Sequence, residues 1–205
     1  YLEQVKTGDN SAILTRKGAY GLSVQEARLL KLSNSAIGDR VYSIKTVQQW
    51  TERIVSLLLR WHTTNPLKLG ILSKELHNLT LGFLSSKIFD TLLKQVQQEG
   101  TILASGQFLR HKDFTIELNA EQERHVRTAM DRLLQSGWEG INITELPELP
   151  KELLQYLIDS EKIVRVQSQI LHPQMIEKLI TCLHSFFSTH EEMTTTEFKD
   201  ITKLS

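Results

Sequence analysis

Apolar residues recur at spacings of three and four over three long stretches, and each stretch predicts a helix with one buried face. From Lys45 to His62 the stripe is Val47, Trp50, Ile54, Leu57 and Trp61, at helical period. Asn65-Pro66 ends it, because proline disfavours helix in the residue before it. A second helix runs from Asn119 to Gln135, with Asn119 as N-cap, Gln122 completing a capping box, and Val126, Met130, Leu133 and Leu134 as the apolar face. The third starts at Pro173, welcome in a first helical turn, and aligns Met175, Ile176, Leu179, Ile180, Leu183 and Phe187.

Between these helices the same order of parts occurs twice. Gly70-Ile71-Leu72 reads as a short strand, Ser73 caps a short helix with Glu75, Leu76 and Leu79, and a helix from Ser86 carries Ile88, Phe89, Leu92, Leu93 and Val96 to Gly100. Two β-rich runs around Ser105-Gly106 then predict a hairpin over 101–110. In the second copy Ile141-Asn142-Ile143 is the strand and Thr144 caps a brief helical turn. Pro150 opens a helix with Leu153, Leu154, Leu157 and Ile158, and 163–172 forms the hairpin around Gln167-Ser168. Glu75 and Glu145 are expected in equivalent first helices. The order is that of a helix-turn-helix with a β-wing, and two copies in tandem make a chance match improbable.

The flanks resemble partial copies. Leu22-Ser23 with a helix from Val24 to Leu32, and a wing from Ala36 to Tyr42 around Gly38-Asp39, lack a separate recognition helix. Met193-Thr194-Thr195 with Thr196 to Ile201 reads as the start of one more unit. The expected fold class is therefore mainly α with small β-wings, as tandem winged-helix repeats. Its expected divisions are 1–62, a divergent first module with a linking helix; 63–118; 119–190, with a trailing helix; and 191–205, the opening of a fourth. The first residue is Tyr1 rather than Met, and the chain is expected to be a fragment at both ends.

Composition is that of an ordinary globular chain, 205 residues with 40% hydrophobic and 23% charged. No apolar run reaches the roughly 20 residues of a membrane span. The single Cys182 cannot form an internal disulfide, which suits a reducing cytosol and a packing role. The formal charge is zero, from 24 basic and 24 acidic residues, but residues 1–64 carry +4 and residues 121–205 carry −5. Since phosphate neutralisation supplies most nucleic-acid affinity, any basic grip must be local.

The seven histidines show no metal-ligand spacing, and no nucleophile elbow or phosphate loop occurs. No catalytic, cofactor or metal residue is therefore assigned. The helix from Ser86 offers Lys87, Lys94, Gln95 and Gln98 to a partner, whereas the helix from Pro150 offers Glu152, Gln155, Asp159 and Glu161, which repel phosphate. Trp50 and Trp61 read as core rather than as base-stacking platforms.

Leu59-Arg60-Trp61-His62, Asn65-Pro66-Leu67-Lys68-Leu69-Gly70 and Ser73-Lys74-Glu75-Leu76 stand in fixed order. Phe89-Asp90-Thr91-Leu92-Leu93 leading to Gly100, then His111, then Met193-Thr194-Thr195-Thr196-Glu197-Phe198-Lys199-Asp200, continue it. From about Tyr42 onward this resembles the C-terminal extension of the bacterial selenocysteine-specific translation elongation factor, a tandem of four winged helices. The resemblance implies a cytoplasmic, monomeric, non-catalytic arm that tethers a GTP-dependent factor to an mRNA hairpin beside a UGA codon. GTP, selenocysteyl-tRNA and the ribosome would be engaged through domains outside this chain. It places hairpin recognition chiefly in the fourth module, whose basic positions here are Lys199 and Lys203. The competing readings are a protein-interaction module of a larger assembly and a DNA-binding regulator.

Overall fold

The structure, a computed structural model, describes residues 11–32, 35–146 and 149–202. The chain divides into two compact units, Tyr1–Thr115 and Ile116–Ser205.

The first unit opens with α1, Ser11–Lys17, then β1, Leu22–Ser23, and α2, Val24–Leu29. A hairpin of β2, Ser35–Ile37, and β3, Arg40–Tyr42, follows, giving a three-stranded sheet in the order β1-β3-β2. Among the described residues α2 alone stands between β1 and this hairpin, so the missing recognition helix read from the sequence is seen in the fold. α2 ends as a helix that meets a wing should. The Leu32 N–H donates to the Ala27 carbonyl at 2.9 Å, and Lys31 takes φ 50°. α1, which the sequence reading did not pick out, supplies the buried Ala12 and Leu14.

The long helix α3, Ile44–Thr64, is capped by Ser43 and leads to β4, Ile71–Leu72, and α4, Ser73–Thr80. Then come α5, Ser86–Gln98, and the hairpin of β5, Ile102–Ser105, with β6, Phe108–His111; the sheet order is β4-β6-β5. The core stripe of α3 is Trp50, Ile54, Leu58 and His62, an unbroken i, i+4 series. Val47, Leu57 and Trp61, expected on that stripe, are only partly buried beside it. No side-chain oxygen caps α4 or α5, although Ser73 and Ser86 are their first residues.

Adjacent residues of β3 point to opposite faces. Val41 packs with Leu14, Leu22 and Ala27, while Tyr42 and Ile37 join Trp50, Ile54 and Phe89 in the larger core. Tyr42 meets Trp50 edge to face at 4.8 Å. The first wing is thus buried on both sides, which is why residues either side of His62 form one unit.

The second unit contains α6, Ala120–Ser136, with the expected Asn119/Gln122 capping box, and β7, Ile141–Asn142. α6 buries Ala129 and Leu133, whereas Leu134, expected on that face, is 44% exposed. A single 3-10 turn, Ile143–Glu145, stands where α4 stands in the first unit, and its cap is Asn142 rather than Thr144. Glu75 and Glu145 both occupy the first turn of this element. α7, Lys151–Asp159, precedes β8, Val164–Val166, and β9, Gln169–Leu171, in the order β7-β9-β8. α8, Pro173–Phe187, and α9, Thr195–Thr202, close the described residues. The apolar stripe of α8 is only half covered: Met175 is buried, but Ile180 and Phe187 are about half exposed.

One close approach recurs. Leu22 pairs with Val41, Ile71 with Leu109, and Ile141 with Ile170, and a glycine precedes each first-strand residue. A Cβ on Gly70 would lie 2.4 Å from the Leu109 carbonyl oxygen, and one on Gly140 2.7 Å from that of Ile170. Only glycine lets the strand enter so close to the wing. Gly21, Gly70 and Gly140 are the clearest shared mark of the three sheets.

Candidate nucleic-acid interface

In a winged helix the second helix of the helix-turn-helix and the wing are the surfaces offered to a partner. On α5 the residues Phe89, Leu92, Leu93 and Val96 face the core, leaving Lys87, Lys94 and Gln98 exposed. Gln95, expected with them, is half-buried, and its Nε2 donates to the Ala36 carbonyl of the first wing at 3.3 Å. Ala36, Val47, Gln95, Gln98 and Glu99 line a shallow cleft of about 500 Å³ at this contact. One of the four polar residues expected to face a partner on α5, Gln95, therefore faces the chain's own first wing.

The equivalent face of α7 is acidic: Glu152 and Gln155 are exposed, half-buried Asp159 accepts from Gln155 Nε2 at 2.7 Å, and Glu161, expected with them, is exposed in the turn after the helix. Lys162 turns back, donating to the Tyr156 hydroxyl at 2.8 Å, so it offers little to a ligand. Lys199 is exposed on α9, but Glu197 and Asp200 share that helix, and Glu197 is tied to the helix start by Thr194. These Thr194 hydrogen bonds hold its carboxyl below the usual range. Lys203 lies outside the described residues.

Charge follows the structural division. Tyr1–Thr115 carries fifteen basic and nine acidic residues, +6, while Ile116–Ser205 carries nine and fifteen, −6. The neutral total conceals one cationic and one anionic unit, and a polyanion favours only the first.

The sequence reading missed the role of His62. It is 5% exposed, and its ring stacks on Phe114 with centroids 3.6 Å apart. Its Nε2 accepts from the His111 backbone N–H at 3.2 Å, which leaves the proton of the neutral ring on Nδ1, an atom without a partner. Burial first, then the neighbouring His111 and Arg110, push its pKa down from 6.5 to about 4. The legible signal was its place four residues after Leu58 on the Trp50–Ile54–Leu58 series. Among the described residues no three His, Cys, Asp or Glu side chains gather as a metal ion would need, and no helix is long and apolar enough to cross a membrane. Cys182 is partly buried on α8.

Residues 55–110 match the family model described as "Elongation factor SelB, winged helix". That span runs from the middle of α3 through β6, the second of the three sheets and its helices, and it is a SelB-like winged-helix region. Among solved structures, the crystal structure of a bacterial selenocysteine-specific elongation factor, EF-Sec, matches with a TM-score of 0.52 at 14% identity. The match covers 100% of this chain and 34% of that one, so the chain spans about a third of its length. At that identity the likeness shows the fold. No curated protein matches the chain.

Proposed function

We propose that this chain is a non-catalytic winged-helix arm of a selenocysteine-specific elongation factor, and that it helps to tether the GTP-dependent factor to an mRNA hairpin during UGA recoding. The observation that carries this reading is the SelB winged-helix match over 55–110, set within three sheets of one topology. The acidic second unit supports a division of labour, in which residues 116–202 hold position and the hairpin-specific grip lies elsewhere in the protein. The first wing bonded to Gln95 supports it too, because a recognition helix occupied within the chain serves as a joint.

A filter-binding titration tests it with the cognate hairpin, this chain and the whole protein. The chain alone should bind near the non-specific range of roughly 10⁻⁴–10⁻⁶ M at physiological salt, and the whole protein far more tightly. Nanomolar, hairpin-specific binding by the chain alone would place recognition within residues 1–205 and overturn the division of labour. Equal affinity of the whole protein for the hairpin and for scrambled RNA would overturn the tethering itself.

A further inference from the structure

The outer face of α3 is polar and exposed. Opposite its buried stripe, Lys45, Gln49, Arg53, Ser56, Arg60 and Thr63 follow one another at steps of four, four, three, four and three, and all six are exposed. They form one straight polar line about 27 Å long at 1.5 Å rise per residue. All three charges on it are positive. Glu52 lies at its margin.

Surface helices usually balance such cations with acids three or four residues away. α6 does so: Arg124 has Glu121 three residues before it, and Arg127 has Glu123 and Asp131 four residues to either side. α3 does not, since no acid stands three or four residues from Lys45, Arg53 or Arg60. Among the described residues none of the three side chains makes an ion pair or hydrogen bond. The face belongs to the +6 unit, and amide and hydroxyl groups sit between the cations. Spaced cations with hydrogen-bonding groups between them suit phosphate and sugar oxygens, which position a protein without reading sequence.

We infer that the outer face of α3 is a contact for the phosphate backbone of double-helical RNA, made by Lys45, Arg53 and Arg60 and separate from any hairpin-specific grip. It rests on the proposed function only in naming RNA rather than DNA.

The test is fluorescence anisotropy on the 205-residue chain with a 20-base-pair RNA duplex of arbitrary sequence, over a salt series. Three phosphate contacts contribute about −2 to −3 to the slope of log K against log salt. The triple variant Lys45→Gln, Arg53→Gln, Arg60→Gln should bind more weakly with a slope shallower by that amount, so the ratio of the two affinities should narrow about 20- to 40-fold between 50 and 200 mM salt. A control with the same net charge, Lys17→Gln, Lys74→Gln, Lys112→Gln elsewhere in the first unit, should lose less than one unit of slope. Circular dichroism on both variants reports their folding, and all six positions are exposed.

Equal losses in the two variants would mean diffuse charge and overturn the inference, as would an unchanged slope in the α3 variant. Tighter binding of a DNA duplex of the same length and sequence would overturn the choice of RNA. Poly-glutamate competing as well as the duplex, charge for charge, would overturn the assignment to phosphate. Because the duplex carries no recognition element, these outcomes leave the hairpin test of the proposed function untouched.

Discussion

Lowering the pH should destabilise the first unit through His62. Its ring is neutral in the fold, buried between Trp61 and Phe114 with Arg110 and His111 close by, and its pKa falls from 6.5 to about 4. The unfolded chain therefore binds a proton between pH 6.5 and 4 that the folded chain refuses. Stability rises with pH wherever the unfolded state binds more protons, so the contribution is whole above about pH 7 and is lost as pH falls. With those two pKa values the loss is about 2 kcal/mol by pH 5 and about 3 kcal/mol by pH 4. The assay is urea unfolding followed by tryptophan fluorescence in a Trp138→Phe background, so that Trp50 and Trp61 report the first unit alone. Other titrating groups cancel in the difference between this protein and its His62→Gln variant, whose side-chain oxygen can still accept from His111 N–H. That difference should shrink by about 2 kcal/mol between pH 7.5 and pH 5. A difference independent of pH, or an NMR titration giving His62 a pKa near 6.5, would refute the reasoning.

Two further substitutions probe the shared frame. Gly70→Ala puts a Cβ against the Leu109 carbonyl with nowhere to move, and should cost about 1–3 kcal/mol in denaturant unfolding. Gln167, the first residue of the third wing's turn, sits at φ 56° where the first two wings have Gly38 and Gly106. Gln167→Gly should therefore raise the stability of the second unit by up to about 1 kcal/mol, read by Trp138 fluorescence.

Hairpins and long helices were legible because their periods are local: the wings over 101–110 and 163–172 and the Asn119 capping box needed only neighbours in sequence. The faces of the helices were harder. Choosing α3's stripe by hydrophobicity selected Leu57 and Trp61, whereas the fold buries Leu58 and His62, because a neutral, stacked histidine packs as an aromatic ring. On α6 the small Ala129 is buried where the greasier Leu134 is exposed, so hydrophobicity alone misplaced that face too. The glycines at 21, 70 and 140 were readable as a repeat, but their meaning depends on a wing strand twenty to forty residues away. The bond from Gln95 to Ala36 was beyond reach, since nothing local marks a helix as covered by a strand 59 residues earlier. Lys199 stands exposed on α9, but exposed Asp200 and partly exposed Glu197 share that helix.

The three sheets share one strand order, yet the helices between first strand and wing differ in each: one helix, two helices, a 3-10 turn and a helix. The invariant part is where a glycine lets the first strand meet the wing, so the frame is fixed by packing and the helices are free to vary. Charge has varied with them. At physiological ionic strength the screening length is about 8 Å, much shorter than either unit, so a polyanion responds to the charge it touches and not to the neutral total. The same frame thus carries opposite electrostatic instructions in its two units. Under the inference drawn for α3, an RNA backbone is held by the first unit, where three cations stand unpaired, and is repelled by the acidic charge of the second.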